Sequence, residues 1–151
     1  MYPQLELGLD ASGWYEYSDK LKIEKKYYNG IKNCIKKDIT NIVLPSNFNN
    51  QTITAIGPEA FSECRDLSCM IIPEGYAYIG KLAFAGCENL YTVVLPKSLE
   101  RIDAEAFLST SLEAPYAGAG FKYAGTWEQW DNIDKSDLSP TITVDCNFND
   151  Y

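Results

Sequence analysis

A block of nine residues recurs in this chain at a fixed interval. "IGPEAFSEC" begins at Ile56, "IGKLAFAGC" at Ile79 and "IDAEAFLST" at Ile102, so successive copies begin 23 residues apart. Self-similarity at such a period is the signature of a solenoid, in which each unit buries its apolar face against the next unit. The repeat therefore constrains the fold more strongly than any single motif in the chain.

Aligning the copies on their phenylalanines gives columns of like residues, which a stacked core requires. The columns are Ile56/Ile79/Ile102, Ala60/Ala83/Ala106, Phe61/Phe84/Phe107, Pro45/Pro73/Pro96 and Leu67/Leu90, with Leu112 one residue early. The first two prolines are 28 residues apart instead of 23, which predicts a looped insertion in "SNFNNQT".

Each unit is predicted to contain two short extended pieces and one turn. The first piece is a β-branched run stopped by proline, as is typical of short parallel strands: "NIVLP", "CMIIP" and "TVVLP". The second extended piece is "TITAIG", "YAYIG" or "SLERID", and the helical or 3₁₀ turn is "PEAFSEC", "KLAFAGC" or "AEAFLST". The predicted fold class is α+β, a mostly β solenoid coiling to the right.

A solenoid needs caps, because its end coils would otherwise expose apolar faces and strand edges. The chain is predicted to be one domain over 1–151, with an N-terminal cap at 1–38, three repeats at 39–112 and a C-terminal cap at 113–151. Thr126 is expected to cap a helix whose Trp127, Trp130 and Ile133 share one side and seal the end. An exposed ligand cage formed by the two tryptophans, in a carbohydrate-active role, is the alternative.

The pattern "LxxΦxΦPxxΦxxIGxxAFxxC" resembles the BspA-like leucine-rich repeats. The segment "IKNCIKKDITNIVLPSNFNNQTITAIG" is similar to the start of such arrays, and "FKYAGTWEQWDNI" followed by "TITVDC" resembles the strand, helix and strand that close them. Asp103 and Thr110 depart from the glycine and cysteine of the pattern. The resemblance implies a recognition protein of bacteria or some protozoa, at the cell surface or secreted.

Residue usage excludes several chemistries. With 0 histidines the chain cannot form Ser-His-Asp or Cys-His arrangements or histidine-bearing metal sites, and its 5 cysteines include no Cys-x-x-Cys pair. We therefore expect a non-enzymatic protein with no catalytic residue, metal or cofactor. Cys64 and Cys87 are interpreted as free buried thiols, which favours the cytoplasm. No membrane span or leader is apparent, although the cell surface or secretion is the alternative if a leader was removed.

The net charge of −8 is uneven, since lysines balance acids in residues 1–38 while acids predominate in residues 39–151. An acidic repeat body repels phosphate backbones, so direct nucleic-acid binding is not expected. Such a body instead favours a basic protein surface as partner.

Alternation along the strands predicts a solvent-facing apolar column, and such a column on an open sheet face is typical of a protein-binding surface. The column and its polar neighbours are Val43, Ile71, Val94, Asn41, Cys69, Thr92 and Tyr91. The alternative surface is an acidic patch on the turns, comprising Glu59, Glu63 and Glu105.

Three functions agree with these features. The chain is expected to be a protein–protein interaction module that binds a protein partner, or a second copy of itself, through the strand face. The alternatives are a small intracellular inhibitor encoded by a phage or mobile element, which blocks a host defence or nucleic-acid-binding protein, and a surface or secreted adhesin fragment.

Overall fold

The computed structural model describes residues 21–24, 30–34, 40–48, 50–135 and 137–148. Most of the predicted N-terminal cap, 1–38, lies outside the described residues. The described elements in chain order are β1 (Leu21–Glu24), β2 (Gly30–Cys34), β3 (Asn41–Val43), β4 (Asn47–Phe48), β5 (Gln51–Thr52), β6 (Ala55–Ile56), β7 (Cys69–Ile71), β8 (Tyr78–Ile79), β9 (Thr92–Leu95), β10 (Arg101–Ile102), β11 (Gly120–Tyr123), α1 (Trp127–Asp131) and β12 (Val144–Asp145).

The strands form two ladders, one for each extended piece of the repeat. The first sheet has the order β1-β2-β6-β8-β10 and the second has the order β12-β11-β9-β7-β3. All pairs in these two sheets are parallel except β1 with β2. The mostly β solenoid with parallel strands, expected from the repeat, is confirmed.

The register follows the repeat column by column. In the second sheet Ile42 lies opposite Met70, which lies opposite Val93, and Phe121 extends the row. In the first sheet Ile56 lies opposite Ile79, which lies opposite Ile102. Stacking like residues in this way lets every coil bury the same apolar face, so no coil is stable alone.

The core runs along the solenoid axis as a ladder of aromatic rings. Phe84 lies between Phe61 and Phe107, with centroids 5.3 and 5.1 Å away and nearly parallel planes. Phe121 then packs edge-on against Phe107 at 5.0 Å and contacts Trp130. The ladder therefore ends in the C-terminal cap.

The repeat turns, residues 58–63, 81–86 and 104–109, differ from the helical or 3₁₀ turns expected. Backbone N–H groups bond three residues back as in a 3₁₀ helix, but only at alternate residues, as Ala60 does to Gly57 and Ser62 to Glu59. In each turn two residues four apart take a positive φ of 58° to 77°, which a continuous 3₁₀ helix does not allow: Glu59 and Glu63, Leu82 and Gly86, Glu105 and Ser109. The intervening N–H groups therefore point out of the coil.

Two local predictions are confirmed. The insertion after Pro45 forms an antiparallel hairpin of β4 and β5. The C-terminal segment forms a strand, a helix and a strand, and α1 begins with a capping box in which the Thr126 hydroxyl accepts from the Gln129 N–H while the Gln129 side chain accepts from the Thr126 N–H.

The seal at the C-terminal end is made by one tryptophan instead of two. Trp130 is buried against Phe121 and Tyr123, and Ile133 is buried as well. Trp127 is 56% exposed at the first residue of α1, so the prediction that both tryptophans seal the end is wrong for Trp127. With Trp130 buried, the two rings do not form an exposed cage.

Candidate protein-interaction surface

The second sheet places the predicted strand-face residues in the expected rows. Val43 lies opposite Ile71 and Ile71 opposite Val94, and Asn41, Cys69 and Thr92 form the neighbouring row. In β11 Gly120 and Lys122 extend the two rows. The alignment of the repeat therefore gave the right neighbours.

Four of the six predicted residues in these two rows are buried. Ile71 is 2% exposed and Val94 is 1% exposed, and Cys69 and Thr92 are also buried. The expectation that these four face solvent is wrong. Of these six predicted residues, Asn41 and Val43, on strand β3, are the half-buried members.

Ile71 and Val94 are buried outside the main core, because neither belongs to the apolar cluster that includes their chain neighbours Met70 and Val93. Strands covered on both faces read as continuous apolar runs instead of alternating ones. The runs "CMII" and "TVVL" have that character. The sheet is therefore a two-sided buried layer at β7 and β9.

At the N-terminal ends of the strands a loop covers part of the predicted surface. The Thr92 hydroxyl donates to the Gly118 carbonyl at 2.7 Å, and the Tyr91 ring packs edge-on against Tyr116 with centroids 6.5 Å apart. Tyr91 is half-buried and Tyr116 is exposed. Of the predicted set, Tyr91 thus joins Asn41 and Val43 as a residue partly open to solvent.

Lys122 is a residue of this face that sequence reasoning missed. It lies opposite Val94 in the register, and its ammonium pairs with Asp145 of the adjacent strand β12. The column is therefore apolar for three strands and ends in an ion pair. The cap strand β11 lies outside the 23-residue alignment, so the repeat gave no signal for this position.

The alternative acidic patch lies on the repeat turns and is open to solvent. Glu59, Glu63 and Glu105 are all exposed. Glu59 and Glu105 occupy the same position of the first and third turns, separated by Leu82, and Glu63 pairs with Arg65 at 3.0 Å.

A cleft of about 370 Å³ separates the third repeat turn from the loop at 137–142. Phe107, Leu108, Leu138 and Ile142 supply its apolar lining, and Asp103, Glu105, Glu113 and Asp137 supply carboxylates. Hydrogen bonds from Ser139 and Thr141 lower the pKa of Glu113, so this carboxylate is ionised at neutral pH. Leu108 is 52% exposed, and in the described part of the chain it is one of three large hydrophobic side chains open to solvent.

The thiols of the repeat are reduced and enclosed. Cys64 and Cys87 are buried thiols in the same column, and the Cys87 thiol donates to the Phe61 carbonyl at 3.0 Å. A hydrogen bond with Cys64 and burial together raise the pKa of Cys87 far above its ordinary value. These thiols are packing groups and not nucleophiles.

Comparison with known proteins identifies the repeat. A family model described as "BspA type Leucine rich repeat region (6 copies)" matches residues 21–127. The chain belongs to the BspA-type leucine-rich repeat family. The comparison with curated proteins returned no match.

Solved structures of bacterial leucine-rich repeat proteins resemble this BspA-type chain. A Treponema pallidum leucine-rich repeat protein is 25% identical with a TM-score of 0.57, covering 61% of this chain and 44% of its own. A Bacteroides capillosus leucine-rich repeat protein is 18% identical with a TM-score of 0.40, covering 83% and 91%. A leucine-rich cell surface protein of Faecalibacterium prausnitzii is 17% identical with a TM-score of 0.38, covering 80% and 42%. This chain thus spans less than half of the length of the T. pallidum protein.

No helix in the described part of the chain is long and apolar enough to cross a membrane. Within that same part, no group of three or more histidine, cysteine or acidic side chains is arranged to hold a metal ion.

Proposed function

We propose that this BspA-type repeat domain is a non-enzymatic protein-interaction module that binds a basic protein surface through its repeat turns. The observation that carries the proposal is the distribution of exposed groups. The strand face is buried at Ile71 and Val94, whereas the turns present Glu59, Glu63 and Glu105 to solvent. The net charge of −8 supports a basic partner.

The strand face is the second candidate surface, and it is restricted to its half-buried members. Asn41, Val43 and Tyr91 are the predicted residues that are half-buried instead of buried. Strand β7, whose Cys69 and Ile71 are buried, lies between β3 with Asn41 and Val43 and β9, which Tyr91 precedes, so the three do not form one apolar patch. An exposed, contiguous patch is what marks a protein-binding face, and this arrangement lacks one.

Charge reversal on the first repeat turn tests whether the partner binds to the repeat turns. Glu59→Lys with Glu63→Lys changes two exposed carboxylates, and Glu128→Lys on α1 makes the same kind of change elsewhere. A partner captured from the source organism is purified and titrated against the wild type and both variants. We expect the double variant to bind at least about tenfold more weakly and Glu128→Lys to bind as the wild type does. Equal binding by the wild type and both variants would exclude the repeat turns as the binding surface.

The excess of acidic groups also supports the inhibitor function, in which the partner is a host protein with a basic nucleic-acid-binding groove. A competition experiment between the module and nucleic acid for the partner tests the inhibitor function. If the module blocks the groove, the purified partner loses nucleic acid as the module is added. A partner that holds its nucleic acid when saturated with the module would exclude it.

A cytoplasmic location is part of the proposal, with the adhesin at the cell surface as its alternative. The support is chemical, because the buried thiols of Cys64, Cys69 and Cys87 suit a reducing compartment. Fractionation of the source cells with an antibody to the domain distinguishes the two. Recovery in the medium or on the cell surface would favour the adhesin.

A further inference from the structure

Successive repeat turns are joined by a ladder of backbone hydrogen bonds that runs in one direction. In the first two turns, every second N–H group donates to a carbonyl of the following turn. The donor–acceptor pairs are Glu59–Lys81, Phe61–Ala83 and Glu63–Ala85 at 3.0, 2.7 and 2.7 Å, and Leu82–Ala104, Phe84–Ala106 and Gly86–Leu108 at 3.4, 2.7 and 2.9 Å. Each turn thus presents three donors to the coil that follows it.

The third turn has the same backbone as the first two. Glu105 and Ser109 take φ values of 58°, as Glu59 and Glu63 take 59° and 62°. The N–H groups of Glu105, Phe107 and Ser109 are therefore the donors for a further turn. None of the residues that the structure describes accepts a hydrogen bond from these three groups.

The C-terminal cap covers the other two sides of the third coil. β11 pairs with β9 along the second sheet, and Asp134 bridges Arg101 at the end of the first sheet. Phe121 closes the aromatic ladder over Phe107. Beside the third repeat turn the cap does not fill the space, and the cleft lined by Leu108 and Ile142 remains there. The cap thus closes the core and leaves the backbone edge of the third turn open.

The repeats themselves show what kind of chain fits this edge. The residues that supply carbonyls to this ladder lie on the second and third turns and are mostly small: Lys81, Ala83, Ala85, Ala104, Ala106 and Leu108. The rim of the open edge carries Glu105 and Asp137, both exposed, and no lysine or arginine of the described chain lines the cleft. A segment with small residues and basic side chains would complement both features.

We propose that the edge formed by Glu105, Phe107 and Ser109 is a docking site for a basic backbone segment of a protein partner, which supplies carbonyls from alternate residues and adds to the stack as a fourth turn. The interaction is a form of backbone augmentation, in which main-chain hydrogen bonds hold the ligand and side-chain contacts select it. The proposal rests on the proposed function in that the ligand is a protein. It adds the site and the chemistry of the segment.

Hydrogen exchange of the free domain is the first test. We expect the amides of Glu105, Phe107 and Ser109 to exchange at least about tenfold faster than those of Leu82, Phe84 and Gly86, which are in the ladder. Protection of the three amides in a monomeric sample would overturn the proposal. So would protection that appears only as the domain dimerises, because the occupant would then be a second copy.

The second test is a titration with a defined peptide, followed by nuclear magnetic resonance. The probe is an acetylated and amidated peptide with the sequence of residues 79–86, carrying Phe84→Ala because Phe121 already fills the ring position, and two added C-terminal lysines. The control peptide carries two glutamates instead. We expect the lysine peptide to shift and protect the amides of Glu105, Phe107 and Ser109 and to bind at least about tenfold more tightly than the glutamate peptide. No binding, equal binding or shifts confined to other turns would overturn the proposal.

A matched pair of variants separates the edge from general attraction to an acidic domain. Leu108→Arg places a charge in the cleft, and Tyr116→Arg places the same charge on another exposed apolar residue. We expect Leu108→Arg to weaken peptide binding at least about tenfold and Tyr116→Arg to change it less than about twofold. If both variants weaken peptide binding equally, the peptide responds only to the net charge of the domain, and the proposal is wrong.

The purified native partner shows which claim fails. If Leu108→Arg abolishes its binding, the partner uses the edge. If Glu59→Lys with Glu63→Lys abolishes binding while Leu108→Arg has no effect, the proposed function stands and the docking edge is wrong. If no protein binds to the domain, the proposed function fails first.

Discussion

The ring of Phe84 lies parallel to the ring of Phe61, with centroids 5.3 Å apart and planes inclined by 7°. The two residues are 23 positions apart in the chain and hold the same column of adjacent coils. The same relationship holds between Phe84 and Phe107. The period of the sequence thus appears in space as the rise of the solenoid from one coil to the next.

Truncating the central ring should be costly. Phe84→Ala removes a fully buried side chain with a coil on either side, and neither coil can collapse into the cavity without breaking the backbone ladder. We expect a loss of about 3–5 kcal/mol in the free energy of unfolding, measured by urea denaturation. Leu108→Ala, at an exposed position, should change it by less than about 0.5 kcal/mol. A similar small loss for both variants would contradict the ring ladder as the main support.

The sequence predicted the neighbours within the array better than the exposure of its faces. Aligning the runs that end at Pro45, Pro73 and Pro96 places Ile42, Met70 and Val93 in one row, and the structure has that row, because period and column are direct properties of the sequence. Exposure of Ile71 depends on whether something covers the second face of the sheet, and alternation along a strand does not report that. The continuous apolar run around Ile71 was the available signal.

The proposed docking edge was not predicted, because its donors belong to the backbone. Positive φ at Glu59, Leu82 and Glu105 has no signature in those side chains, and the only glycine among the left-handed turn positions is Gly86. Gly86 was therefore the one sequence signal of this backbone, and the other two repeats have a glutamate and a serine at the equivalent position.

The burial of Ile71 changes what a charged substitution does there. On an exposed column Ile71→Lys would leave the fold intact, but at 2% exposure it places an ammonium beside the buried Val94 and the half-buried Val43. We expect a loss of several kcal/mol or failure to fold, measured by circular dichroism during heating. Val43→Lys, in the same column on the half-buried edge strand, is the control and should cost less. Equal melting temperatures for Ile71→Lys and the wild type would show that Ile71 is open to solvent.

The two tryptophans of α1 should differ sharply in their contribution to stability. Trp130 is 6% exposed and contacts both Phe121 and Tyr123, so Trp130→Ala should cost about 3–5 kcal/mol in urea denaturation. Trp127→Ala, at the exposed start of the same helix, should change stability by less than about 0.5 kcal/mol. The reverse order would mean that Trp127 provides the seal.

The thiols of the repeat should resist alkylation while the protein is folded. Cys64 and Cys87 are buried, and their mutual hydrogen bond and burial raise the pKa of Cys87, so the reactive thiolate is scarce. Peptide mapping after iodoacetamide treatment at pH 8 should find both unmodified, with Cys146, which is partly exposed, modified sooner. Adding urea should make all three react. Reductant should leave the melting temperature unchanged, and a large decrease would instead reveal a disulfide.

Stability should decline on the alkaline side of neutrality. Burial raises the pKa of Tyr76, whose hydroxyl donates to the Pro45 carbonyl at 2.6 Å, and the pKa of Cys87 is raised as well. A group whose pKa is higher in the folded state holds its proton there while the unfolded chain releases it. Its stabilising contribution is complete below the unfolded pKa and is lost as pH rises above that value.

The expected window follows from ordinary pKa values of about 8.5 for cysteine and about 10 for tyrosine in an unfolded chain. The free energy of unfolding in urea should be nearly constant from pH 7 to 8, fall above about pH 8.5, and fall more steeply above about pH 10, by up to about 1.4 kcal/mol per pH unit for each group. Tyr76→Phe lacks the hydroxyl, so it starts less stable and should show a shallower decline above pH 10. Stability that rises between pH 8 and 10 would mean that these two groups ionise more readily in the fold than in the unfolded chain, contrary to their burial.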